Sequence, residues 1–217
     1  MKNIRIWDLA TRSFHWLLVF SIIGLIITGN VGGNAMVWHF RLGNVVFTLL
    51  LFRIIWGLIG GHWSRFSSFI YSPKSIIQYL KGDHPKHHAI GHNPMGALSV
   101  FALLLTLAAQ VATGLFSDDE IAAVGPLAKH VSNATVSQAS FYHTEIGKLL
   151  IILLVVFHIG AILFYLFKKR ENLVKPMIHG DKFVDTDTPP SRDDGRMRLL
   201  ALITLLACGL VVYLTVS

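Results

Sequence analysis

The chain has 217 residues, 53% of them hydrophobic and only 14% charged, where a soluble domain carries roughly a quarter charged residues. The deficit is concentrated in long apolar runs, which excludes an ordinary water-soluble domain and predicts a bilayer-spanning helical bundle. The formal charge of +7 does not mark a nucleic-acid binder, because the basic residues flank the apolar runs and act there as topology signals.

Five apolar runs follow one another. The first, about 14–29, has Lys2, Arg5 and Arg12 before it and His15 at its start. A weak cleavage site at Ile26-Ile27-Thr28-Gly29-Asn30, together with that histidine, predicts a retained membrane helix and not a signal peptide. The second, about 37–59, begins near His39 and contains Arg41 and Arg53. A loop with Arg65, Lys74, Lys81 and Lys86 against Asp83 comes next, and 72–80 within it predicts a short interfacial helix. The third run is about 97–116. A loop with Asp118, Asp119 and Glu120 against Lys129 leads to the fourth, about 141–167, which is longer than the roughly 20 residues a bilayer needs. Lys168, Lys169, Arg170 and Lys175 come after it, then a polar stretch around Pro189-Pro190, then the fifth run, about 199–216. Cys208 in that last run is the one cysteine; no Cys-x-x-Cys-His is present, so covalent c-type haem attachment is excluded.

These boundaries divide the chain into a transmembrane domain at 1–182, a polar linker at 183–198 and an additional C-terminal transmembrane helix at 199–217. The positive residues alternate between loops so that the N-terminus is expected in the cytoplasm and the C-terminus outside.

Of the 11 histidines, four lie in or at the ends of apolar runs: His15, His39, His143 and His158. A histidine in a membrane helix costs free energy without a partner and is a functional candidate by default. Bis-histidine ligation of two haems needs four, one imidazole on each face of each iron. His143 and His158 are fifteen residues apart, about 22 Å along a helix and about 60° in rotation, so both can face one bundle near opposite membrane surfaces. Helix direction then gives the pairs His15–His158 on the inner side and His39–His143 on the outer side. Gly43 and Gly147 each follow a ligand by four residues; they share its helix face and leave room either for a flat macrocycle or for close helix packing.

Arg53 is the candidate counter-charge for a propionate of the inner haem, with Arg12 and Arg41, beside the ligands at the two faces, as further candidates. His84, His87, His88 and His92 form a loop cluster that reads as weak, adventitious metal binding in a solvated segment. Trp16, Trp38, Trp56 and Trp63 fall near helix ends and read as interfacial anchors.

Trp7-Asp8 with Thr11-Arg12, Phe14, His15 and Trp16 resembles the opening of the bacterial cytochrome b561 family, and within it the hydrogenase-type cytochrome b subunits. Arg53-Ile54-Ile55-Trp56-Gly57 with Gly60, Gly91-His92-Asn93-Pro94 with Gly96, and Met177 through Lys182 follow the same pattern. The resemblance covers about 6–182. It implies a four-helix core in a bacterial inner membrane, two haem b groups held by His15, His39, His143 and His158, and quinone as the diffusible substrate. The fifth helix departs from that four-helix core.

The leading function is therefore electron transfer between quinone or quinol and a redox partner protein, either hydrogenase-like or a c-type cytochrome. The chain acts as an electron-transfer subunit or quinone oxidoreductase, not as a self-contained enzyme, and the chemistry belongs to the cofactors. Two other classes compete: a metal-ion transporter using the histidines, and a purely structural membrane anchor. The scarcity of carboxylates in the apolar runs argues against a cation path, and reduced b-type absorption bands separate all three.

Overall fold

The computed structural model describes residues 2–82, 90–121, 123–184 and 188–217; His84, His87 and His88 of the loop cluster lie outside them. The described residues are mostly helical, and among them are five helices long and apolar enough to cross a membrane. These are α1 (Leu9–Val31), α2 (Met36–Ile59), α4 (Pro94–Phe116), the stretch formed by α5 (Asn133–Phe141) and α6 (Lys148–Lys168), and α8 (Gly195–Val216). Short helices α3 (Pro73–Leu80) and α7 (Val174–His179) stand between them. Two strands, β1 (Lys2–Arg5) and β2 (Asp181–Val184), pair antiparallel with Arg5 opposite Asp181; this sheet is an addition to the all-α bundle expected.

Local chemistry explains the boundaries. Helix α1 starts at Leu9, five residues before the apolar run, because the Asp8 carboxylate accepts the Thr11 N–H at 2.7 Å and caps the first turn. It ends where Gly32 and Gly33 take φ values of 66° and 53°, a left-handed conformation that suits glycine. Ser72 and Ser132 cap α3 and α5 through the N–H groups of Ser75 and Thr135. Asn93 accepts the Gly96 N–H at 2.8 Å, and Pro94 opens α4, where no N–H is needed. Between α5 and α6 the helix widens into one π-helical turn, Tyr142–Gly147.

The chain groups into two compact units. The first takes the described residues of Met1–His15, Arg53–Phe101 and Phe157–Thr204; the second takes Trp16–Phe52, Ala102–Val156 and Leu205–Ser217.

In the first unit Ile6, Trp7, Ile90 and Val184 form a buried cluster. Beside it lies a buried polar network. Asp8, 1% exposed, accepts from Trp56 Nε1 at 3.2 Å and from Ser64 Oγ at 2.5 Å, and the Ser64 and Thr11 hydroxyls are 2.7 Å apart. Trp56, 1% exposed, is thus a buried donor and not the interfacial anchor its place near a helix end suggested. The described part of the polar stretch before α8 bonds to the N-terminal segment. Ser191 donates its N–H to Arg5 O at 2.7 Å and its hydroxyl to Ile6 O at 2.7 Å. Asp193 bonds Arg5 at 2.6 Å and Arg198 at 3.1 Å.

In the second unit Val46, Leu50, Leu107 and Ile151 form the core. Apolar packing between helices gains little from water exclusion in lipid, so close van der Waals fit carries it. Gly24 serves that fit, since a Cβ there would lie 2.6 Å from Leu42. Large apolar side chains such as Phe157, Leu206 and Leu58 are exposed, as lipid-facing surfaces require.

Candidate functional site

Each unit brings together two of the four histidines. In the first, His15 of α1 and His158 of α6 have ring centroids 6.5 Å apart, tilted by 49°. In the second, His39 of α2 and His143 of the π turn have centroids 6.1 Å apart at 81°. An imidazole nitrogen binds a first-row metal at about 2 Å and lies about 1 Å from its own ring centre, so two rings on opposite sides of one ion have centres about 6 Å apart. Both pairs have that spacing. Among the described residues no group of three or more His, Cys, Asp or Glu is placed to hold a metal ion. Two imidazoles suit a metal whose other donors come with it, which is the situation of haem iron.

The second site has the clearer surroundings. His39 Nδ1 lies 3.1 Å from Leu25 O and 3.2 Å from Thr28 Oγ1; His143 Nδ1 lies 2.9 Å from Gln110 O. A carbonyl only accepts, so each Nδ1 carries the proton and each Nε2 keeps its lone pair for a metal. A cavity of about 330 Å³ opens beside both rings, lined by His39, Gly43, Asn44, Gly114, His143 and Lys148 among others, within the range of cofactor pockets. A Cβ at Gly43 would meet nothing within 4 Å, which suits a flat group lying there. Gly147 instead packs against the Gln110 amide oxygen, the close-packing alternative. The glycines that seat the rings are two others: a Cβ at Gly29 would lie 3.0 Å from His39 Cε1, and one at Gly114 would lie 2.7 Å from His143 Cε1.

The three arginine candidates have different surroundings. Arg53, 3% exposed, stacks its guanidinium 4.6 Å above the Phe66 ring, and its buried Nη1 has no hydrogen-bond partner among the described residues. Arg12 donates to Ile178 O at 2.6 Å and lies 3.8 Å from Asp193. Arg41 stacks over Trp38 at 4.9 Å and does not line the cavity, whereas Lys148 does. Lys148 is the cation that the sequence reading passed over; a lysine five residues after a ligand, inside an apolar run, is the signal that marks it.

His92 is not part of a solvated cluster. Its ring lies between Trp7 and Phe69, with centroids at 4.6 and 4.5 Å. Burial, reinforced by the Arg53 charge, lowers its pKa to about 3, so it is neutral. Tyr71 donates to the His92 carbonyl at 2.8 Å. The Tyr79 and Tyr165 hydroxyls are 2.5 Å apart, and Asn93 Nδ2 donates to Tyr165 at 2.8 Å. Burial and the Tyr165 bond hold the Tyr79 phenol well above its ordinary pKa.

A family model described as prokaryotic cytochrome b561 matches residues 6–180. A Probable Ni/Fe-hydrogenase B-type cytochrome subunit of Bradyrhizobium diazoefficiens is 24% identical, over 83% of this chain and 86% of that protein. Proteins of the same name from Azotobacter chroococcum mcd 1 and Rhizobium leguminosarum bv. viciae are similar. The first is 22% identical over 86% of this chain and 91% of its own; the second is 23% identical over 83% and 89%. With a family match over most of its length and five apolar helices, the chain belongs to the prokaryotic cytochrome b561 family, multi-pass membrane proteins that transfer electrons on haem b.

Proposed function

We propose that this chain holds two haem b groups, one between His15 and His158 and one between His39 and His143, and carries electrons between quinone and a redox partner protein. The observation that carries the reading is the spacing of the two histidine pairs, 6.5 and 6.1 Å between ring centres. Bound haem b supplies a one-electron iron couple. The chain's own residues do the rest. The Leu25 and Gln110 carbonyls fix the His39 and His143 tautomers. Arg53 supplies a buried positive charge for a propionate of the first haem, and Lys148 supplies one at the second. Arg12 and Arg41 have the weaker claim, since a carbonyl and a Trp ring engage them. The names of the relatives suggest a partner of hydrogenase type, which co-purification in mild detergent tests. The loop charges favour a bacterial inner-membrane setting with a cytoplasmic N-terminus and a periplasmic C-terminus.

Reduced-minus-oxidised spectra of the native holoprotein, which show which component is lost, and pyridine haemochrome, which counts haem, test the pairing across histidine variants. Loss of one axial imidazole leaves iron five-coordinate or weakly ligated, and that haem is often lost. His15→Ala and His158→Ala should each remove one spectral component, and their double variant should keep about one haem, because both changes strike one site. His39→Ala and His143→Ala should remove the other component, and His15→Ala/His143→Ala should remove both. Loss of the same component in His15→Ala and His39→Ala would refute the pairing.

A further inference from the structure

We infer that Gln110 is the positioning residue of the second haem site, holding His143 by its ring and by its backbone at once. The inference rests on the reading of His143 as an axial ligand. Two hydrogen bonds join the residues. The His143 ring donates from Nδ1 to the Gln110 carbonyl at 2.9 Å. In return, the Gln110 amide donates from Nε2 to the His143 carbonyl, also at 2.9 Å.

The second bond follows from the local backbone. His143 lies in the π turn Tyr142–Gly147, where the shift from the regular i→i+4 ladder leaves carbonyls that need other donors. A side-chain amide from α4 meets that need. Two glycines make the approach possible. Gly114, one turn beyond Gln110 on α4, seats the His143 ring, as its 2.7 Å clearance for a Cβ shows. Gly147, four residues after His143, faces the Gln110 amide so closely that any Cβ would overlap Oε1. Positions four apart share a helix face, so residues 110 and 114 of α4 meet 143 and 147 as one block.

Burial of the amide carries a cost that packing alone does not explain. Gln110 Oε1 is buried with no hydrogen-bond partner among the described residues, and an unsatisfied polar atom in lipid is unfavourable. A leucine or methionine would fill the volume without that cost. What the amide adds is the bond to the His143 carbonyl. Fixing both ends of a ligand sets the ring plane and the basicity of Nε2, the means by which second-sphere residues tune a metal site.

The test uses the full-length holoprotein and the variant Gln110→Met, which keeps length and loses the amide. Two readouts are needed: the low-spin electron paramagnetic resonance signature of each haem, and the rate at which each haem passes to excess apomyoglobin. Gln110→Met should shift the second-site signature and speed loss of that haem about 10-fold, leaving the first-site signature as an internal control. Gly147→Ala, which displaces the amide without removing it, should give the same shift and keeps the question answerable if Gln110→Met yields no protein. The double variant should add little to the larger single effect, since both act through one bond. Unchanged signatures and transfer rates in Gln110→Met, with the second component lost in His143→Ala, would overturn this inference alone. A second component that survives His143→Ala would instead overturn the ligand reading on which it rests.

Discussion

Replacing Asp8 with alanine removes the acceptor at the centre of the buried polar network of the first unit. Three donors lose it: the Thr11 N–H at 2.7 Å, the Trp56 indole at 3.2 Å and the Ser64 hydroxyl at 2.5 Å. Loss of the N-cap costs about 1 kcal/mol. The Trp56 N–H is left buried, at about 1–3 kcal/mol, whereas Ser64 keeps the Thr11 hydroxyl as a partner. Asp8 also lies in the field of the buried Arg53, but no ion pair joins the two among the described residues, so the cap and the Trp56 bond set the magnitude. The expected loss is about 3 kcal/mol, a fall in Tm of about 9 °C for a chain of this size. Asp8→Asn keeps the acceptor shared by Thr11 and Trp56 and turns an N–H towards the Ser64 hydroxyl, so it should fall between. Tryptophan fluorescence melts in detergent, read with haem content, measure both. A Tm within about 3 °C of wild type for Asp8→Ala would refute the reasoning.

Three other outcomes are expected. In a Cys208→Ala background, Ser217→Cys should react with an impermeant maleimide in intact cells; labelling only after permeabilisation would reverse the orientation. If quinone binds at the loop between α2 and α4, near His92 and Tyr79, His92→Ala should slow haem reduction by quinol at unchanged haem content, while Tyr79→Phe, whose hydroxyl is bonded to Tyr165, should have a smaller effect; unaltered quinol kinetics in His92→Ala would exclude that placement. At Asp193, burial acts to raise the pKa, but the Arg198 and Leu9 bonds and the Arg5 charge outweigh it and lower it. A lowered native pKa means that its stabilisation is present above the ordinary carboxylate range, about pH 4, and is lost as pH falls through the native value. Protection factors of the amides in 188–194 should therefore fall in acid, and Asp193→Asn should show that fall already at neutral pH.

What was legible in the sequence was what depends on local pattern. Apolar length marked the spans, Ser72-Pro73 marked α3, and helix direction alone joined His15 with His158 and His39 with His143. What was not legible depends on partners far along the chain. Nothing near Arg5 announces that it will bond Asp181 and Asp193, and no periodicity tells that Ser191 docks on the Arg5–Ile6 backbone or that the Pro189 carbonyl accepts from Trp63. Trp56 looked like an anchor because position relative to a helix end carries no information about a carboxylate 48 residues earlier. The Gly29 and Gly114 seats were missed for a similar reason: a glycine on one helix reveals nothing of a ring that another helix brings to it. The Asp8 cap was within reach, since an aspartate three residues before Thr11 at the head of an apolar run is an N-terminus signal.

The sheet between β1 and β2 imposes an order on biosynthesis. Arg5 reaches Asp181 across 176 residues and Asp193 across 188, so a segment translated early finds these partners only late. Such long-range closure is entropically slow. The first unit therefore matures only after residues 181–193 have been translated, and the His15–His158 pair cannot form before His158 emerges. A chain stopped before residue 181 would keep every residue of the His39–His143 pair yet leave its N-terminal strand unpaired, an exposed edge for quality control to find.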